Sequence, residues 1–392
     1  MVSEPALVLS GGGVRGAYEA GVLKGVIEVL GLRHVDAPPF RTFVGTSVGA
    51  VNATYLAAHA HRGDLGIDTL IDRWSQLELR RHVRLDLWGL LGFGPMRSAG
   101  RRVGRSFLDP SALEELVYTG VDWARVHENI ASGRVRALVV PALHIRTGAT
   151  WVFAETAPEV SMTQTPDWSR KHIETRITPE HILASSAIPM LYPARCIEGE
   201  FFYDGGMRHN TPIKSALRIG ADKLMVVVAP HKEARNLPEQ VKKPGLAFLL
   251  GQVFNSMLHD PVLQEMQEIQ RMNGFLASLK ETLGPEGYEE WQARTAEHRG
   301  SRYTHVDFLD FSPKKKVSDT ALTRLRAHME GGDLGLFTRL GLRWLLRKTG
   351  PNAEAEWATF ILFDGPFAER LIQLGIDEAH AQRDQILAFF DA

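Results

Sequence analysis

The sequence predicts an α/β protein, in which strands and helices alternate along the chain. Near the start, a short apolar run, a glycine-rich turn and a helical pattern follow one another, and this order occurs twice, at 6–30 and at 40–60. Strand-like runs recur after residue 220, among them the run from Tyr303 to Phe308, which favours one elaborated domain over two. With 392 residues, of which 44% are hydrophobic, the chain is long and apolar enough for a sizeable core.

The turn of the second unit places a serine between strand and helix. Residues 40–44 read as a short buried strand, Gly45-Thr46-Ser47-Val48-Gly49 follows, and small apolar residues then recur at helical spacing. A serine in such a GxSxG turn is the usual setting of a nucleophile, because the sharp turn lifts its hydroxyl out of the sheet. Gly45 and Gly49 lack a Cβ and allow strand and helix to approach closely. The alternative is a glycine-rich turn with an incidental serine.

The turn of the first unit, from Gly11 to Gly16, is also rich in glycine and contains Arg15. Its spacing satisfies GxGxxG, which is typical of dinucleotide-binding folds, but such folds require an acidic residue at the end of a second strand. Asp36 has the right distance and lies in a proline-containing loop instead. The other interpretation is an anion site, because free N–H groups at a helix N-terminus can hold the oxyanion of acyl transfer. Arg15 could fix this loop or add positive charge.

A carboxylate that could act as a base follows a strand end at Asp204, before Gly205-Gly206. Asp364-Gly365 is a second Asp-Gly turn after an apolar run, and the residues alone do not choose between the two. His209 is a candidate helper near Asp204. Ser185 and Ser186 are rival nucleophiles without a glycine elbow, and we interpret them as close-packing residues beside the site.

The bulk composition excludes several classes. The net charge of -1 gives no field that favours nucleic acid, and the one cysteine, Cys196, excludes an intrachain disulfide. We expect no signal peptide and no transmembrane segment, so the protein is predicted to be cytoplasmic or peripheral to a membrane. No metal site and no cofactor are expected, since the histidines are scattered without HExxH spacing.

Two segments are basic, apolar and rich in tryptophan or leucine, from Arg80 to Arg105 and from Arg339 to Lys348. Such segments can lie at a lipid interface. Packing of the same side chains over the core is an equal alternative.

Four segments in order resemble the patatin-like phospholipases, a family of lipid acyl hydrolases. They are the glycine loop at 11–16, the GxSxG elbow at 45–49, the Ala184-Ser185-Ser186-Ala187-Ile188-Pro189 run and Asp204-Gly205-Gly206. The close match covers about residues 6–230. We therefore expect a core at 1–230 and, at 231–392, a mainly helical extension packed on the same domain.

The resemblance implies a three-layer α/β/α fold with a central, mainly parallel sheet and C-terminal helical additions. It also implies a dyad without a triad histidine, in which Ser47 is the nucleophile and Asp204, rather than Asp364, is the proton acceptor. The oxyanion hole matches Gly11, Gly12, Gly13, Arg15 and Gly16.

The implied activity is metal-free hydrolysis of fatty acyl esters in phospholipids or related lipids, a carboxylic ester hydrolase of EC 3.1.1 type. The alternatives are an inactive lipid- or protein-binding module of the same fold and a dinucleotide-binding protein.

Overall fold

The computed structural model describes residues 5–83, 102–103, 106, 108–160, 162, 169–208, 212–228, 246–299, 302–315, 317–331, 334–335, 338–340, 358–359 and 361–391, with side chains in 246–299 described at 265–297. The described strands are β1 Pro5–Leu9, β2 Thr42–Gly45, β3 Arg102–Val103, β4 Ala137–His144, β5 Thr150–Thr156, β6 Arg170–Glu174, β7 Ala194–Ile197, β8 Glu200–Asp204, β9 Lys223–Val227 and β10 Asp307–Phe311. The described helices are α1 Gly16–Leu30, α2 Val48–Ala58, α3 Ile67–Ser75, α4 Leu79–His82, α5 Ser111–Gly120, α6 Trp123–Ala131, α7 Pro179–Ser185, α8 Ile213–Arg218, α9 Leu246–Arg299, α10 Ser318–Gly331, α11 Gly365–Ala381 and α12 Arg383–Asp391. Helix α9 is interrupted by a kink at Gly284, which has φ 69°.

The strands form one mixed sheet whose central part is parallel. The order is β10-β9-β1-β2-β4, with every neighbouring pair parallel, and β8, β7 and β3 continue this path in antiparallel pairs. Along the edge of β4 that faces away from β2 and β8, β5 pairs antiparallel with β4, and β6 pairs parallel with β5. The α/β class with a mostly parallel central sheet is thus confirmed.

Helices cover both faces of this sheet. Leu7 and Leu9 of β1 belong to a large buried cluster that includes residues of α1 and α2, whereas Ala6 and Val8 belong to a second cluster with residues of α8 and α9. Because successive strand residues point to opposite faces, the two clusters lie on opposite sides of the sheet. The architecture has three layers, α/β/α.

The C-terminal part of the chain contributes to both the sheet and a helical layer. β10 extends the sheet at β9, and its bounds lie later than the strand-like run that starts at Tyr303. Helix α11 packs closely on α1, because a Cβ on Gly21 would lie 2.1 Å from the carbonyl oxygen of Ile372. The Tyr18 hydroxyl donates a 2.6 Å hydrogen bond to Glu378 on α11. The division into a core at 1–230 and an extension stays a prediction.

Candidate active site

Ser47 lies in the sharp turn that the sequence predicts. It is the residue before α2, two positions after the end of β2, and its backbone has φ 55° and ψ −125°. A positive φ is costly for a residue with a Cβ, and such strain persists only where the surroundings fix it.

The elbow glycines are required by contact distances. A Cβ on Gly45 would lie 2.2 Å from the carbonyl oxygen of Gly49, and one on Gly49 would lie 2.6 Å from that of Leu9. The Thr46 amide donates a 3.2 Å hydrogen bond to the same Leu9 oxygen. The elbow is therefore packed directly against the end of β1, where the glycine loop begins.

The glycine loop contains a 3₁₀ turn at Gly13–Arg15 and leads into α1. Gly13 has φ 61°, and a Cβ on Gly16 would lie 2.6 Å from Val48 Cγ2 at the start of α2. Among the described residues, no hydrogen-bond acceptor is found for the amides of Gly12 and Gly13. The loop thus lies beside the serine with two unused donors.

The Arg15 side chain fixes this loop to the C-terminal part of the chain. It is buried, and Nη2 donates a 2.6 Å hydrogen bond to Thr359 Oγ1. This is the first of the two roles considered for Arg15, and a direct role at an oxyanion stays a prediction.

Asp204 lies at the end of β8, before a 3₁₀ turn at Gly205–Met207. Its Oδ1 accepts a 2.7 Å hydrogen bond from the Gly206 amide. A Cβ on Gly205 would lie 2.4 Å from the carbonyl oxygen of Pro141 in β4, so the turn requires glycine there.

The sheet brings Ser47 and Asp204 to the same place. Strand β4 pairs with β5 along 137–143, so β2 and β8 share its other edge. On that edge, Val44 pairs with Val139 and Asp204 pairs with Ala142. Since β8 is antiparallel to β4, its carboxyl end runs toward the end of β2, and the two turns meet there.

The carboxylate of Asp204 has an unusual environment. It is 2% exposed, and burial raises its pKa from 3.8 to about 7, although the Ser47 hydroxyl and the Gly206 amide lower the pKa. Among the described residues, Oδ2 has no hydrogen-bond partner of standard geometry, so the contact with Ser47 is long or poorly aligned. Catalytic hydrogen bonds are often loose until substrate binds.

The run at 184–189 supports both side chains. Ser185 is buried and its Oγ accepts a 3.0 Å hydrogen bond from the Ser47 amide, while the Asp204 amide donates a 2.9 Å bond to the Ala187 carbonyl. Ser186 lines the same cavity as Ser47, and its buried hydroxyl makes no hydrogen bond with any described residue. Ser185 thus holds the backbone of Ser47, whereas Ser186 is a residue of the cavity wall.

The rival aspartate has a different role. Asp364 precedes α11, and its Oδ2 accepts hydrogen bonds from the Phe367 amide and from Arg324 Nε, at 3.2 and 2.6 Å. Its carboxylate therefore caps a helix. The candidate helper His209 lies outside the described residues.

An apolar cavity opens at Ser47. Its walls come from α2, α3, α5, the segment after α7 and residues 361 and 363, and the space between them, including the part open to solvent, is about 1040 Å³. Along α2, Val48, Val51 and Tyr55 line it at helical spacing. An elongated hydrocarbon group bonded to the serine could be buried here.

Sequence reasoning missed Asn52, the buried amide that joins the two units. Its Nδ2 donates to the Gly16 carbonyl and to Glu19 at 3.0 and 2.9 Å, and its Oδ1 accepts a 3.2 Å bond from Trp74 Nε1. Burial raises the pKa of Glu19 well above its usual range. The sequence did contain a signal for Asn52: it is a single amide side chain in an otherwise apolar helix, five residues after Ser47.

No group of potential metal ligands is found among the residues with a described position. Within the same part of the chain, none of the helices has the length and apolar character of a membrane span. The basic segments fall mainly outside the described residues: the structure describes only 80–83 and 102–103 of the first and 339–340 of the second.

Comparison with protein families then yields a match. The model of the patatin-like phospholipases matches residues 7–217, more than half of the chain, and the matched range contains both units, Ser47 and Asp204. The chain belongs to the patatin-like phospholipase family. This confirms the resemblance and supports lipid hydrolysis as the family-level activity.

Two further comparisons of this patatin-like chain concern curated sequences and solved structures. No curated protein sequence matches it. Among solved structures, the crystal structure of VipD from Legionella pneumophila is similar with a TM-score of 0.34 and 13% identity, over 86% of this chain and 67% of that one.

Proposed function

We propose that this protein is a serine lipid acyl hydrolase that cleaves fatty acyl esters of phospholipids or related lipids through an acyl-enzyme on Ser47. The observation that carries the proposal is a strained serine that lines an apolar cavity and meets a buried carboxylate, that of Asp204, at one edge of β4. The activity is a carboxylic ester hydrolysis of EC 3.1.1 type.

In the first half of the reaction, Ser47 Oγ attacks the acyl carbonyl carbon and Asp204 takes the hydroxyl proton. The carbonyl oxygen becomes an oxyanion, which the amides of Gly12 and Gly13 are available to bind. When the tetrahedral intermediate collapses, the bond to the alcohol breaks and Asp204 returns the proton to that alcohol oxygen. The acyl chain stays in the cavity as an ester of Ser47.

In the second half, Asp204 takes a proton from water as the water oxygen attacks the acyl-enzyme. Collapse of the second intermediate returns that proton to Ser47 Oγ and releases the fatty acid. A base with a pKa near neutrality suits both halves, because it both accepts and returns the proton.

The test is turnover of a short-chain nitrophenyl ester by Ser47→Ala and Asp204→Asn. Both variants should lose activity to the background while their circular dichroism stays native, because each removes a reacting group. Asp364→Asn is the matched control for loss of a carboxylate: it removes the ion pair with Arg324 and lowers stability, but the asparagine still caps the helix and turnover of the short ester should remain.

Activity that survives in Asp204→Asn but not in His209→Ala would reassign the base. A folded wild-type protein without any Ser47-dependent turnover would instead favour the inactive binding module. If turnover depends on Ser47, mass spectrometry of products released from a mixed lipid extract identifies the head group and chain that are cleaved.

We also propose that the enzyme contacts membranes peripherally through the segments from Arg80 to Arg105 and from Arg339 to Lys348. Arg80 and Arg81 are exposed on α4, next to His82, which lines the cavity. Replacing both arginines by alanine should weaken binding to anionic vesicles and leave binding to neutral ones unchanged. Equal binding to anionic vesicles before and after the change would refute the idea.

A further inference from the structure

Part of the cavity wall comes from outside the family-matched range. Ile361 and Phe363 line the cavity, whereas the match to the family ends at residue 217. Phe363 is half-buried, and its ring centroid lies 5.9 Å from that of His82, another lining residue. The cavity that Ser47 lines is therefore completed by residues that lie beyond the family-matched range.

The segment that contains Ile361 and Phe363 is held in place by hydrogen bonds before and after these two residues. Before it, Thr359 accepts the hydrogen bond from Arg15 of the glycine loop. After it, the Gly365 amide donates a 2.8 Å bond to the Leu77 carbonyl, and a Cβ on Gly365 would lie 2.0 Å from the Ser75 carbonyl oxygen. Asp364, between these points, is bound by Arg324. The side chains of Ile361 and Phe363 consequently have little freedom to withdraw when a long chain enters.

The α2 residues that line the cavity lead away from Ser47, so a fixed wall can limit the length of an acyl chain bound there. The α2 residues that line it run from Ser47 to Tyr55, which corresponds to about 12 Å along a helix. An extended chain bound to Ser47 that follows this face fills the cavity progressively with each methylene group, and a fixed wall ends the favourable burial.

We propose that Ile361 and Phe363 determine which acyl chain lengths the enzyme accepts. The inference rests on the proposed function, and it concerns the hydrocarbon part of the fatty acyl ester. Removing the Phe363 ring makes room for additional methylene groups. A larger side chain at 361 reduces the room and favours short chains.

The experiment compares kcat/KM of the full-length protein for nitrophenyl esters from butyrate to palmitate. Phe363→Ala should move the optimum to longer chains, with a gain of about fourfold for each additional methylene group that becomes buried, and Ile361→Trp should move it to shorter ones. Leu362→Val is the matched control, because Leu362 is fully buried between the two and does not line the cavity. Its profile should equal that of the wild type.

A second measurement does not depend on turnover. The affinities of Ser47→Ala for free fatty acids of the same lengths should shift in the same direction when Phe363→Ala or Ile361→Trp is added. Unchanged chain-length profiles in both folded variants would overturn the inference while leaving Ser47-dependent hydrolysis intact. If the fatty acid affinities shift but the protein shows no hydrolysis, the proposed function is refuted, while the role of Ile361 and Phe363 in selecting chain length is supported.

Discussion

At the scale of single residues, the pKa of Asp204 governs the proposed chemistry. Burial raises it from 3.8 to about 7, so a carboxyl group that is ordinarily ionised at neutrality becomes half protonated there. A protonated Asp204 cannot accept the Ser47 proton. We expect kcat/KM to rise with pH through about 7 and to level off above it. A profile from about pH 5 to about pH 9 without an inflection near 7 would contradict the assignment of Asp204 as the base.

The same raised pKa predicts a cost in stability. In the unfolded chain Asp204 ionises near its ordinary pKa, so the folded state becomes less stable as pH rises from about 4 to about 7. Asp204→Asn removes this cost, which is on the order of 4 kcal/mol for a shift of this size. Urea unfolding should therefore show the variant more stable than the wild type at pH 8, with the difference shrinking toward pH 5.

Ser185 and Ser186 allow a comparison between neighbours. Ser185→Ala leaves the buried Ser47 amide without its acceptor, which should cost about 1–3 kcal/mol in the free energy of unfolding. Ser186→Ala removes a hydroxyl with no partner among the described residues and should cost less. Denaturant unfolding of the two variants tests this, and equal losses would show that the Ser185 hydrogen bond contributes little.

The turns that carry Ser47 and Asp204 were easier to predict from the sequence than the contacts that hold them. The turns around Ser47 and Asp204 could be read from glycine and strand patterns, because the constraints on those residues are local. The bond from Ser185 to the Ser47 amide, and those of Asn52 to α1, join residues distant in sequence. Such contacts depend on how elements pack, and no local pattern encodes them.

At the scale of elements, the two strand–turn–helix units form as predicted, with small shifts at their ends. The expected strand at Tyr303 begins only at Asp307, because the amide of Tyr303 and that of Val306 bond instead to the side chains of Gln292 and Asn273 on α9. The side chains of Gln292 and Asn273 thus accept the hydrogen bonds that a neighbouring strand would otherwise accept. A pattern of strand propensity does not reveal such side-chain acceptors.

The elbow yields a prediction about glycine. Gly49→Ala places a Cβ 2.6 Å from a backbone oxygen that belongs to the central strand β1 and cannot easily move. We expect loss of esterase activity and a lower melting temperature. Gly274→Ala is the control, since nothing lies within 4 Å of a Cβ there and the residue is inside α9. That change should leave activity intact and stabilise by up to about 1 kcal/mol.

At the scale of the whole molecule, the C-terminal part is bound to the matched core through the sheet and through α1. We predict that a fragment of residues 1–230 does not fold stably, because it lacks β10 at the edge of β9 and α11 on the buried face of α1. Urea unfolding followed by circular dichroism tests this against the full chain. Cooperative unfolding of the fragment would show that the core is autonomous.

The order of the strands was beyond the reach of sequence reasoning. Patterns identified most of the strands, but the placement of β8 beside β4 and the attachment of β10 at the far edge depend on pairings between remote segments. These non-local pairings decide which turns share an edge, and hence which polar side chains meet.

The shared edge of β4 has a consequence for how such proteins tolerate insertions and deletions. On β4, Val139 pairs with β2, the strand before Ser47, and Ala142 pairs with Asp204 at the end of β8. Only the short interval between these two residues of β4 separates the two pairings. One extra residue there would displace the carboxylate by about 3.4 Å and reverse the faces of everything beyond it. Lengthening any surface loop leaves this interval untouched. Homologous chains that remain active should therefore vary freely in length elsewhere and keep this short interval constant.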